Sequence, residues 1–322
     1  MMNAPAWIFV DVIMRMPMMK QTTGFIFLGM AIFIVVLVLK SRYTLNVSLG
    51  DHVERDVTND RKLIPSAGVL EAMSQNKIHY DETDDSILIP PEDELKTMSP
   101  KEIHNFYHSY VNSHQILCRQ QVRVGHIRDG GWDVCEDEKY RPKMPCLVYS
   151  FGISTDFSFD DGIAARYGCE VHSFDPTVKQ PDHQRGKNMW FHPIGIASVT
   201  NQTRRGPMMT LRDLRKKFNH TNRKIDILKM DIERMEWSTI PELLTGGALA
   251  DVHQLAIEFH IGRVKVEVGK EKYLEHLSVF QQLYDAGYRI FQSKMNINQL
   301  VTSKIARPFV PCQEMFFIRE FT

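Results

Sequence analysis

Two segments of the chain place acid–base groups where apolar strands should end. In "IDILKMDIERMEW" the apolar run 225–230 is followed by Asp231, Glu233 and Glu236. In "LAIEFH" a second run closes on Glu258 and His260. Side chains of these types can take a proton from a hydroxyl or amine as it attacks an electrophile. Asp231, Glu233, Glu258 and His260 are therefore the candidate catalytic residues. Glu236 is a further carboxylate, at a helix start where the helix dipole favours it. The same groups could hold a divalent cation that lowers an acceptor's pKa, but no ligand spacing demands one and no metal ligand is assigned.

A third segment supplies a binding site to go with them. "CLVYSFGISTDFSFDDGIAARYGCEVHSFDPT" runs from Cys146 to Thr177. It reads as strand, glycine turn, helix, strand and acidic residue. Gly152 lets the backbone approach a ligand without a Cβ in the way. The helix that follows offers free N–H groups at its start. Asp175, at the end of the second strand, can accept hydrogen bonds from both hydroxyls of a ribose. A dinucleotide turn would show G-x-G-x-x-G; "FGISTDFSFD" has one glycine, which suits a cofactor without a pyrophosphate. S-adenosylmethionine, an adenosine with a charged amino-acid tail, fits that description. "FHPIGIAS" ends another strand with Gly195 and Ile196, a wall for the adenine. The plainer reading is that Gly152 and Asp175 are turn residues of a βαβ unit.

These residues need elements to carry them. From Cys146 onward, apolar runs at 146–151, 169–174, 189–194, 225–230, 252–259, 288–291 and 315–319 alternate with helical patterns at 158–167, 210–218, 236–244 and 271–286. Such alternation predicts a parallel sheet with helices on both faces. Ligands of an open α/β sheet bind beyond the carboxyl ends of its strands, where all the residues named above fall. The last run, "EMFFIRE", has no clear crossover helix before it and suits an antiparallel strand. Upstream, Ser99, Pro100 and Glu102 spell a helix start with a capping box. The segment 99–145 reads as a helical lead-in to the domain 146–322.

Lys plus Arg (39) balances Asp plus Glu (39). That argues against function through phosphate attraction, and no nucleic-acid partner is expected. Residues 22–39, "TTGFIFLGMAIFIVVLVL", carry no charge and as a helix would span roughly 27 Å, about one hydrocarbon core. They read as a transmembrane signal anchor after a tail, 1–21. The polar, acid-rich residues 40–98 read as a stem. Sequons at Asn46, Asn201 and Asn219 all follow the anchor. They favour a single-pass protein whose carboxyl-terminal part is lumenal, in the Golgi or endoplasmic reticulum, or extracellular. Five cysteines also follow it, and in an oxidising compartment some would pair. Cys135 and Cys146, flanking a short charged segment, are the favoured pair; Cys169 reads as a buried thiol.

The order "YSFGIS…FD…HPIGIAS…TLRDL…IDILKMDIERMEW…LAIEFH" resembles the FkbM-type class I methyltransferases, and more closely the methyltransferase-like protein 24 family. "DILKMDIERME" answers to the FkbM hallmark at the fourth strand. "DGGWDVC" and "CLVYSFGIS" match the closer family. The resemblance covers about residues 100–322. It implies a Rossmann-like class I methyltransferase fold, with a mostly parallel seven-stranded sheet. By that likeness Phe151, Gly152, Ile153 and Ser154 form the cofactor loop, Asp175 binds ribose, Gly195 and Ile196 border the adenine, and Asp231 lies near the methyl-donor sulfur or the acceptor. Arg234 departs from the pattern, standing where the FkbM turn has glycine. The implied function is S-adenosylmethionine-dependent methylation of a sugar or small-molecule oxygen. Anchor, stem and lumenal α/β domain are also the layout of Golgi glycosyltransferases, although Asp231-Ile-Glu233 is not the Asp-x-Asp of those enzymes. A non-catalytic binding protein on the same fold is the third alternative. The lumenal reading predicts glycans on Asn201 and Asn219. Removing N-glycans from the cellular protein should therefore speed its migration on a gel, and the Asn201→Gln/Asn219→Gln double variant should abolish that change.

Overall fold

The computed structural model describes residues 87–127, 130–262, 268–296, 301, 303 and 308–320. The run 22–39 and the sequon at Asn46 lie outside them. Among the described residues no helix is long and apolar enough to cross a membrane.

In chain order the elements are α1 (Glu92–Thr97), α2 (Pro100–Val111), β1 (Gln121–Val124), β2 (Trp132–Cys135), β3 (Leu147–Phe151), α3 (Ser158–Tyr167), β4 (Glu170–Phe174), β5 (His183–Gly186), β6 (Met189–His192), β7 (Gly195–Ile196), β8 (Asn201–Thr203), β9 (Gly206–Met209), α4 (Leu211–Lys217), β10 (Ile225–Met230), α5 (Glu236–Thr245), β11 (Val252–His260), α6 (Lys270–Asp285), β12 (Tyr288–Met295) and β13 (Cys312–Arg319). Each apolar run read from the sequence is a strand of the main sheet. Each helical pattern from 158 onward is a helix.

The main sheet has eight strands, in the order β12-β13-β11-β10-β3-β4-β6-β5. The expected seven are joined by β5, which pairs antiparallel with β6 at the edge. Its sequence, "HQRG", is short and polar, as edge strands often are, and carries no apolar pattern to find. The inner pairs β11–β10, β10–β3, β3–β4 and β4–β6 are parallel. The closing strand β13 runs antiparallel between β11 and β12, as "EMFFIRE" suggested. Two smaller sheets, the β1–β2 hairpin and β7-β9-β8, were not read from the sequence.

Alternation along the strands divides the core between the two faces. Tyr149, Phe151, Phe174, Leu228, Met230, Ile257 and Phe317 pack with residues of α2, α4, α5 and α6. Val148, Val171, Ile227, Ala256 and Phe316 pack with α3 and the β1–β2 hairpin. The lead-in is helical only over α2, where Ser99 and Glu102 form the expected capping box and Pro100 sits in the first turn. Gln254 joins the hairpin to the sheet. Its Nε2 donates to Cys135 O and Tyr140 O at 3.0 Å each, and its Oε1 accepts from Cys135 N at 2.9 Å.

The cysteine pairing differs from the expectation. Cys118 pairs with Cys135 and Cys146 with Cys169; Cys312 is buried and outside both disulfides. Cys146 and Cys169 each immediately precede one of two adjacent parallel strands. The register Leu147↔Glu170 sets them side by side, a relation that proximity in sequence does not reveal. This bond closes a loop of sequence separation 23, for which chain-entropy scaling gives about 3 kcal/mol. Cys146→Ser/Cys169→Ser should lower unfolding free energy by roughly that amount in denaturant titrations, with far-ultraviolet circular dichroism unchanged.

Candidate active site

The glycine loop takes its shape from the strand beside it. Gly152 has φ +69°, and a Cβ there would stand 1.6 Å from the Asp231 carbonyl oxygen. Only glycine fits between β3 and the exit of β10. Lys229, 4% exposed within β10, reaches back to this turn. Its Nζ donates to Phe151 O at 3.0 Å and Gly152 O at 2.9 Å, and lies 4.8 Å from the centroid of the Trp132 ring. Ser154 N–H donates to Asp175 Oδ2 at 2.8 Å. Asp175 Oδ1 accepts from the Thr177 N–H at 2.8 Å and the Thr177 hydroxyl at 2.6 Å. Asp175 thus ties the loop to β4, and Oδ2 keeps lone-pair capacity for one further donor.

A cavity of about 230 Å³ opens at this edge. Its lining includes Phe151, Gly152, Ser154, Asp175, Gly195, Ile196, Arg205, Met208, Asp231 and Glu233. Six of the seven expected cofactor residues meet there. Ile153 does not; it is buried, 4% exposed. Lys229, Thr177, Arg205 and Met208 were missed by the sequence reading. A lysine inside a mostly apolar strand was the available signal for the first; Thr177 and Arg205 lie outside the strands and helices, and Met208 in the short strand β9, none with a local signal.

A larger cleft of about 700 Å³ adjoins, bordered by Glu233, Met235, Trp237, His260, Val268, Lys272 and Glu275 among others. Glu233 and Met235 line both spaces. His260 is held by Glu236, whose Oε1 lies 3.2 Å from Nδ1 and also accepts the Ile232 N–H at 3.1 Å. That leaves His260 Nε2 facing Asp231 Oδ1 at 3.9 Å and Glu233 Oε2 at 4.0 Å. Glu236 thus both starts α5 and orients the imidazole. Trp237 is core, stacked on His276 with ring centroids 3.4 Å apart, and its Nε1 donates to His260 O. Glu258 lines neither space; it is 6% exposed.

Burial pushes the Asp231 carboxyl above its ordinary pKa, Lys229 and His260 opposing. Burial, then the Asp231 charge, holds Glu258 up to about 7. For His260 burial works against the charged ring, but hydrogen bonds to Cys312 and Glu236 outweigh it and raise the imidazole. The site therefore sets a carboxyl with raised proton affinity, Asp231, beside an imidazole that favours its charged form.

Residues 77–307 match the model of a family described as a methyltransferase domain. The chain belongs to that family. It is also 27% identical over 209 residues to the human "Probable methyltransferase-like protein 24", covering 59% of this chain and 57% of that one. The rat protein of the same name is 28% identical over 211 residues, with the same coverage. The chain thus spans 57% of the length of these curated relatives. Among solved structures, the methyltransferase FkbM from Methylobacillus flagellatus is similar at 15% identity and a TM-score of 0.31, over 52% of this chain and 43% of that one. The family bears out the resemblance read from the motifs. It supports S-adenosylmethionine as the cofactor, and the residues fit it: a turn closed to any Cβ, a carboxylate with spare accepting capacity, and apolar walls from Ile196 and Met208.

The raised Glu258 carboxyl carries a sign that can be measured. Its folded pKa, about 7, exceeds the ordinary 4.5. Its contribution to stability is complete below about pH 4.5 and is lost as pH rises through about 7. Glu258→Gln stays neutral and should escape that loss. Relative to the variant, the wild type should lose on the order of 2 kcal/mol between about pH 5 and pH 8 in urea titrations.

Proposed function

We propose that the protein transfers the methyl group of S-adenosylmethionine to an oxygen of a sugar or other small hydroxyl compound bound in the larger cleft. The observation that carries this reading is the junction at Asp231. Asp231 lines the glycine-loop cavity, and its Oδ1 stands 3.9 Å from Nε2 of His260, which borders the adjoining cleft. At about 230 Å³ the smaller space is below the roughly 300–1,000 Å³ common for whole small-molecule ligands. It suits the nucleoside portion of the cofactor, with the methionine end directed toward Glu233 and Met235.

Asp175 would hold the ribose, Ile196 and Met208 the adenine, and the Gly152–Ser154 turn the amino-acid tail. The bound cofactor supplies an electrophilic methyl on a cationic sulfur, and the protein supplies alignment and desolvation. Asp231 is the proton acceptor of this scheme. Burial raises its affinity for a proton, which matches it to a hydroxyl that loses its proton as it attacks. His260, oriented by Glu236, holds the carboxylate and the incoming oxygen in place. A membrane anchor at 22–39 and a lumenal or extracellular domain remain part of the proposal, resting on the uncharged run and the sequons.

The test is transfer of radiolabelled methyl from S-adenosylmethionine by the full chain into pools of neutral mono- and oligosaccharides and small alcohols. The wild type should label at least one pool. Asp231→Asn should lower the rate by about 10²–10⁴-fold while its affinity for S-adenosylhomocysteine stays within about threefold of wild type. Label appearing only in amine or protein fractions would overturn the hydroxyl acceptor, and an Asp231→Asn enzyme of full activity would overturn the base.

A further inference from the structure

Beside β4 and β6, three histidines, two carboxylates and a tyrosine form one continuous chain of contacts. Asp182 Oδ2 lies 2.9 Å from His192 Nδ1. His192 Nε2 lies 2.8 Å from His172 Nδ1, the two rings nearly coplanar at 11°. His172 Nε2 lies 3.0 Å from Glu170 Oε1. The same oxygen lies 3.1 Å from His220 Nε2, and His220 Nδ1 lies 2.7 Å from the Tyr149 hydroxyl. The side chains of His172, His192 and His220 are all 7% exposed or less.

The hydrogens do not add up. Ionised Asp182 and Glu170 only accept. The three contacts running from Asp182 through both rings to Glu170 therefore need three hydrogens, and two neutral imidazoles carry two. A third proton would make one ring an imidazolium. The two side chains are only 5% and 3% exposed, where an added charge is costly. A divalent cation in place of that proton removes the conflict. With metal on His172 Nε2, the Nδ1–H of His172 donates to His192 Nε2, and the Nδ1–H of His192 donates to Asp182. With metal on His220 Nε2, the Nδ1–H of His220 donates to the Tyr149 oxygen. Every ring is then neutral, with its one N–H used.

We propose that Glu170, His172 and His220 form a divalent-metal site, with Zn²⁺ the cation that suits two imidazoles and a carboxylate. Their donor atoms all lie within 4.8 Å of one another. Tetrahedral zinc at about 2.0–2.1 Å separates its ligands by roughly 3.3–3.4 Å, so the contacts need open by only about 0.3 Å. Arg223 Nη1 donates to Glu170 Oε2 at 2.7 Å, which keeps the carboxylate monodentate. The outer partners, His192, Tyr149 and Arg223, hold each ligand from behind, as second-layer groups do at metal sites. Glu170 is 27% exposed, leaving room for water as the fourth ligand. The metal would clamp β4 to the α4–β10 connection that carries His220.

The test uses the purified full chain, stripped with a chelator and titrated with Zn²⁺ against a chromophoric competitor. One zinc per chain is expected. His172→Gln and His220→Gln should each weaken binding at least about 100-fold, and His192→Leu about 10–100-fold. Cys312→Ser, which alters the other buried group of donors near His260, should leave the affinity unchanged. X-ray absorption of the zinc-loaded wild type needs no variant and covers the case in which these fail to fold; it should show two imidazoles, oxygen and no sulfur. Absence of zinc binding by the folded chain, a sulfur ligand, or unchanged affinity in both glutamine variants would overturn the site.

Discussion

The active edge of this protein depends on a buried ammonium group. Lys229 sits in the central strand β10 with 4% of its surface exposed, and a buried charge is costly unless its donors are met. Two carbonyls of the glycine turn and the face of Trp132 meet them. Asp160, buried in α3, adds an opposite charge and holds the Ser150 and Ser173 hydroxyls of the neighbouring strands. Because the lysine must find those carbonyls, the turn has one shape. Gly152 then presses on Asp231, Ser154 reaches Asp175, and the cavity opens between them.

The turn after β10 is the complementary feature. Glu233 and Arg234 have φ of 57° and 76°, a conformation that costs an L-residue roughly 1–2 kcal/mol. Arg234 stands where the resembled motif has glycine, and bears that strain with a side chain. The turn is held by Glu236, which receives the Ile232 N–H and the His260 ring together. Glu233 and Met235, from this one turn, border both the cofactor cavity and the larger cleft. Strain that persists at such a boundary is of the kind found at functional sites.

Much of this was legible because apolar runs of strand length are hard to mistake when they alternate with helical patterns. β3, β4, β10 and β11 were found to within a residue, and Gly152, Asp175, Asp231 and His260 fell at their ends as open-sheet topology requires. What escaped had no local signature. β5 is four polar residues defined by a neighbour. The Cys146–Cys169 bond depends on parallel register between strands distant in sequence. The expectation that Asp175 accepts from both ribose hydroxyls meets a carboxylate whose capacity Ser154 and Thr177 already occupy in large part. Lys229 was in view within the motif, but its role appears only when the carbonyls it meets are located.

Lys229 builds the cofactor loop from behind, through the Phe151 and Gly152 carbonyls, without touching the ligand. Calorimetric titration of S-adenosylhomocysteine into the full chain and into Lys229→Met, both checked for native circular dichroism, tests it. The wild type should show saturable one-to-one binding and the folded variant a loss of at least about tenfold, the cost of roughly one ionic hydrogen bond. A folded Lys229→Met protein that binds as tightly as the wild type would contradict it.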